Sequence, residues 1–100
     1  MTTIDERLRF AIIRKRLIKL RYSGSLRVVE PHDYGVQKGV DRLLAYQQQS
    51  LGPKKSEPGW RRFDVAKIEE LVVLDTVFKG SRGASHQQHH TWDVLYARVD

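Results

Sequence analysis

The sequence predicts a mainly β protein of the α+β class, with one N-terminal helix followed by a small antiparallel β-barrel. Three observations carry this. Apolar residues recur at helical spacing near the start of the chain, and from Leu17 the period falls to two. Short alternating runs are then separated by glycine- and serine-containing turns. One run, Leu43 to Tyr46, is apolar on both faces, which suits a central barrel strand better than an exposed sheet surface. The 100 residues, 40% hydrophobic and 30% charged, supply one core and hence a single domain. The expected division is a helix over 1–16, a barrel over 17–78 and a C-terminal extension over 79–100.

Thr3-Ile4-Asp5-Glu6 has capping-box spacing, in which the threonine oxygen accepts an early helical N–H and Glu6 reaches back to the threonine backbone. Ile4, Leu8, Ala11 and Ile12 form the apolar stripe; acids occupy the first turn and Arg14 to Arg16 the last, as the macrodipole prefers. Leu17 to Tyr22, the Ser23-Gly24-Ser25 turn and Leu26 to Glu30 read as a hairpin. His32 to Val36 extends as an edge strand after Pro31, and Lys38-Gly39 turns the chain into Arg42 to Gln47. Gln48 to Gly59 holds two of the three prolines and reads as a long, mobile loop, a candidate lid.

Trp60 to Val65 reads as the next strand, with Arg61, Phe63 and Val65 on one face. Ala66 to Glu70 is a short helical turn, and Leu71 to Val77 a β-branched strand with Phe78 plugging the barrel end. Lys79 to Thr91 is expected to be irregular, and Trp92 to Val99 a terminal strand or short helix. No internal repeat is evident.

Composition removes several classes of function. Without cysteine there is no disulfide, thiolate zinc site, iron–sulfur cluster or cysteine nucleophile, and a reducing, cytoplasmic setting is expected. Apolar runs such as Leu71 to Leu74 fall far short of the roughly 20 residues that span a bilayer, and the charged N-terminus does not resemble a secretory signal. No membrane partner is expected. The net charge of +6 favours an anionic partner. Seven basic residues in positions 1–22 face only Asp5 and Glu6, so the excess is concentrated there, either as a nucleic-acid surface or as the solvated side of a helix.

Helix, Tyr22-Ser23-Gly24 turn, Val29-Glu30-Pro31, Leu43-Leu44-Ala45-Tyr46, Trp60-Arg61-x-Phe63, Lys67-Ile68 and Leu71-x-x-Leu74 follow one another in an order that resembles the WYL domain family over roughly residues 7–78. The resemblance implies an Sm-like small β-barrel behind a helix, found in bacterial transcription regulators and defence-associated proteins. There it serves as a ligand-sensing module whose basic, aromatic pocket takes a nucleotide-like or nucleic-acid ligand. Asp41-Arg42-Leu43 stands where the family has tryptophan, tyrosine and leucine, so only the leucine is kept. Arg61 matches a family arginine, while Lys67 replaces another and cannot form its bidentate fork. The helix-turn-helix region that accompanies the domain in regulators has no counterpart, so a stand-alone relative with a separate regulatory partner is expected.

The candidate ligand-binding residues are Arg61, Lys67, Tyr22, Tyr46, His32 and Arg21. Alternation points Arg61 inward with Phe63, where it needs an acceptor: a ligand phosphate or carboxylate, or internally Glu30 or Asp64. Tyr22, Tyr34 and Tyr46 offer stacking faces or ordinary barrel packing. His32 beside Asp33 suits a hydrogen-bonding pair or a structural role. Gln47 to Gln49 line a pocket entrance or lie in a solvated loop. The alternative reading is a single-stranded nucleic-acid surface on Arg14, Lys15, Arg16 and Lys19; the third is an assembly module or homo-oligomer joined through edge strands.

His86, His89 and His90 would converge on a metal only in a helix, and Gly83 and Ser85 argue for a loop, so neither metal nor cofactor is expected. No serine with a paired base, carboxylate dyad or Walker spacing has a supporting context, and the expectation is a non-enzymatic protein. A histidine-assisted ribonuclease on His32, Lys67 and Arg61 is the enzymatic alternative.

Overall fold

The computed structural model describes residues 2–51, 57–83 and 91–100. Helix α1 (Ile4–Arg14) begins at the Thr3 capping box, with both reciprocal bonds to Glu6 formed. It ends where Lys15 adopts a left-handed conformation and turns the chain into β1 (Arg16–Tyr22). β2 (Ser25–Gln37) follows after Ser23 and Gly24, and β3 (Val40–Leu51) after Lys38 and Gly39. All four turn residues have positive φ. Two-residue turns of this hand match the twist of the strands they join, which fixes the register of both hairpins.

β4 (Gly59–Asp64) and a 3-10 turn (Val65–Lys67) lead to β5 (Glu70–Val77), and β6 (Val94–Arg98) closes the described chain. The antiparallel sheet runs β4-β3-β2-β1-β5, with β6 alongside the second half of β2. β4 and β5 form the two ends of an open sheet among the described residues. Pro31 interrupts β2 less than expected. The strand passes through it by means of a bulge, so that Pro31 faces Ala45 and Asp33 faces Leu44 while His32 is the extra residue. Positions 48–51 belong to β3, which corrects the start of the expected loop; the remaining 52–56 lie outside the described residues, as do His86, His89 and His90.

α1 packs Leu8, Ala11 and Ile12 against Ile18 and Leu20 of β1, Val29 and Tyr34 of β2, and Leu43, Ala45 and Phe63 beyond. Its other attachment is polar. The Tyr34 hydroxyl donates to Asp5 at 2.7 Å, and Arg9 pairs with Asp5 while its guanidinium lies over Tyr34 and Tyr96. Burial and the Asp5 bond push the Tyr34 phenol well above its usual range. β6 can lie against β2 only because position 35 is glycine: a Cβ there would stand 2.2 Å from the Val94 carbonyl oxygen. The C-terminal segment is thus a strand, one of its two expected forms.

Candidate functional site

Alternation along the strands sorts the candidate residues onto two faces. On the core face, Pro31, Ala45 and Arg61 form one row across β2, β3 and β4. On the opposite face, Glu30, Tyr46 and Trp60 form the adjacent row. The sequence reading placed Arg61, Tyr22 and Tyr46 in one pocket. The structure parts Tyr46 from the other two, because positions 46 and 61 point to opposite sides of paired strands while Tyr22 meets Phe63 on the core face.

The core face ends, near the first hairpin turn, in a cationic and aromatic group. Arg27 donates to Gln47 Oε1 at 3.0 Å, and its guanidinium carbon lies 6.0 Å and 5.8 Å from the ring centres of Tyr22 and Phe63. Tyr22 and Phe63 meet edge to face at 5.0 Å, and the Tyr22 hydroxyl accepts from the Asp64 backbone N–H. Arg61 donates to the Trp60 and Glu57 carbonyls, so the expected carboxylates Glu30 and Asp64 are not its partners. Among the described residues neither Arg27 nor Arg61 forms an ion pair, and the buried Nε of Arg27 meets no acceptor. Burial pulls the Arg27 guanidinium below its ordinary value, and the like charge of Arg61 adds to that pull. The orphaned Nε–H of Arg27 is a donor without an acceptor among the described residues, and a like charge raises the cost of holding it there.

Sequence reasoning missed Arg27. The signal was present, since Arg27 and Val29 are two apart on one strand and Val29 belongs to the core. A tight turn at Ser23-Gly24 pairs Arg27 with Leu20, another core residue, so its place on this face follows from the register.

On the opposite face the cation beside Tyr46 is paired. Arg82 forks onto Glu30 at 2.8 Å and 2.9 Å, its guanidinium carbon 3.7 Å from the centre of the Tyr46 ring, and Gln48 Nε2 donates to the same carboxylate at 2.8 Å. Burial pushes the Glu30 carboxyl up, but these donors outweigh it and hold the pKa below the usual value. His32, re-aimed by the bulge, stands edge-on to Trp60 at 4.7 Å and stacks on Phe78 at 5.7 Å. Phe78 therefore covers His32 rather than simply plugging a barrel end. The His32 Nδ1 lies 2.8 Å from the Glu30 carbonyl oxygen, a contact that needs N–H on Nδ1. Nε2 is buried without a partner among the described residues. Burial draws the imidazole below its ordinary pKa against the Glu30 carbonyl and the charges of Glu30 and Asp33, with Arg82 adding to the fall. His32 and Asp33 do not pair, because Asp33 is taken by a fork from Arg98 at 3.0 Å and 3.1 Å.

The other candidates lie apart. Lys67 stands exposed on the 3-10 turn. Arg21 pairs with Glu70 at 3.6 Å, and Arg16 with Asp75 at 3.3 Å. Arg14 and Arg16 both lie near the Phe10 ring, Lys15 caps α1, and Lys19 sits mid-β1. Within the expected basic strip, Asp75 of β5 pairs with Arg16 alone among the described residues. Gln47 is buried within β3, not part of a solvated loop. No group of three or more metal-ligating side chains exists among the described residues, and no helix there is long and apolar enough to cross a membrane.

In comparisons with known proteins, no family model matches this chain, no curated protein matches it and no solved structure matches it.

Proposed function

We propose that this protein is a non-enzymatic ligand-sensing module that binds an anionic, nucleotide-like ligand at the cationic end of the core face. Arg27 and Arg61 take the phosphate, and Tyr22 packs beside the base. The observation that carries this reading is the half-buried Arg27 guanidinium, held by Gln47 beside the Tyr22 and Phe63 rings, with its buried Nε lacking an acceptor and, like Arg61, with no ion pair among the described residues. Buried cations are ordinarily paired, and here an anionic ligand is the natural partner. The surface mode on Arg14, Lys15, Arg16 and Lys19 loses one of its four cations to the pairing of Arg16 with Asp75. The finer fold reading, an Sm-like barrel of the WYL type, draws support from Phe63 of β4 and Leu71 of β5 entering one core cluster although they stand at opposite ends of the sheet. Such a module would act in the cytoplasm and pass ligand occupancy to a separate regulatory protein.

Fluorescence anisotropy with labelled short single-stranded RNA and DNA across a salt series, with mononucleotides as competitors, tests this. The expected result is saturable binding, displaced by mononucleotides and weakened at least tenfold by Arg61→Ala or Arg27→Ala. A slope near 0.7 logarithmic units per contacted phosphate per decade of salt, with no competition, would instead favour the nucleic-acid surface. A stable oligomer with no affinity for any anion would favour the assembly reading.

A further inference from the structure

The Glu30 cluster on the opposite face is built differently from its occupant. Glu30, Tyr46 and Gln48 stand on β2 and β3, within the best-connected part of the sheet, whereas Arg82 comes from the irregular residues after β5. The Glu30 side chain is 5% exposed, while that of Arg82 is 42% exposed. The receptor half is therefore buried and positioned by strands, and the inserted half reaches in from the surface. Gln48 fixes the carboxylate at 2.8 Å, leaving its oxygens set for a two-pronged donor, and the Tyr46 ring provides a flat wall at 3.7 Å. A planar cation that donates two parallel N–H bonds and stacks on a ring is a guanidinium; an ammonium meets only the charge. Beside the cluster lies a cleft of about 540 Å³ running along the Thr76 to Arg82 segment, so the charged pair borders accessible space.

We propose that Glu30, Tyr46 and Gln48 form a guanidinium-binding cage that Arg82 fills in cis, and that a guanidinium supplied by another molecule competes for the same place. The carboxylate is buried, so the cage favours a cation whenever Arg82 leaves it. The site is independent of the anion site on the core face, and each is testable without the other. Arg82 acts as a tethered competitor, and its local concentration sets how strongly an outside ligand must bind to displace it.

The test uses the full chain as wild type, Arg82→Ala and the double variant Glu30→Gln/Arg82→Ala. Melting temperature is followed against ethylguanidinium, ethylammonium, free arginine and a short capped peptide containing one arginine. Arg82→Ala is expected to show a saturable upward shift with ethylguanidinium that exceeds any shift with ethylammonium and is absent from the double variant. Either free arginine or the peptide should bind Arg82→Ala at least tenfold more tightly than wild type, and which one does identifies the source of the guanidinium. Should Arg82→Ala be unfolded, its refolding by ethylguanidinium is the same positive result. Equal responses of Arg82→Ala and the double variant, or binding of neither arginine form, would overturn the proposal.

Discussion

On the core face, Arg27 and Arg61 have only neutral acceptors, whereas on the opposite face Arg82 forks onto Glu30 and Arg98 onto Asp33. Both balanced pairs join β2 to a segment distant in sequence, so their arginines close the architecture. The core-face pair repel each other and hold only neutral groups, Arg27 the Gln47 amide and the Tyr22 and Phe63 rings, Arg61 the Trp60 and Glu57 carbonyls. The difference separates arginines paired with buried carboxylates from arginines with no acidic partner among the described residues, and the proposed ligand would meet the second kind.

Three measurements sharpen that contrast. Arg82→Ala should have the largest effect, because it strands a buried carboxylate: breaking a fully buried pair costs about 3–5 kcal/mol, and the partial exposure of Arg82 reduces the expected loss to roughly 2–3 kcal/mol. Glu30→Gln should cost less, since the remaining guanidinium can turn to water. Urea denaturation of both variants checks the order, and an equal cost would count against a cage that demands a cation.

His32 should give the next effect. Its folded pKa lies below the unfolded value near 6.5, so the unfolded chain takes up the proton first. The contribution of neutral His32 is fully present above that pH, and it is lost as pH falls from about 6.5 through the folded pKa. Denaturation midpoints at a series of pH values should show this fall, and His32→Phe should flatten it. An unchanged slope in His32→Phe would assign the pH dependence to other groups, such as Glu30.

Arg61→Ala should change stability least, by no more than about 0.5 kcal/mol in either direction, while weakening anion binding at least tenfold. A large loss of stability on urea denaturation would place Arg61 with the architectural arginines and erase the distinction between the faces.

Local signals made much of the fold legible. The capping box, the period change at Leu17 and the turns at Ser23-Gly24 and Lys38-Gly39 each act within a few residues, and the elements formed accordingly. Arg61 shares the core face with Phe63 for the same reason. What stayed hidden depends on pairing over long separations. A bulge moves His32 out of simple alternation, and the arginines that pair with Glu30 and Asp33 come from beyond β5. The grouping of Tyr46 with Arg61 rests on the family resemblance, while the register that parts them is a property of two strands together. Arg27 lay within reach of the same alternation that found Arg61.

The paired turns at either end of β2 also carry a meaning in time. β1, β2 and β3 are joined by links of two residues, and hairpins of this kind close in roughly 1–10 μs. β5 and β6 must instead return to strands laid down much earlier in the chain, and β6 must fit its backbone against Gly35. Loop-closure entropy places those events later. The three-strand meander is thus the template on which the rest of the molecule is assembled. Arg82 and Arg98, arriving with the late segments, are the fastenings that complete it.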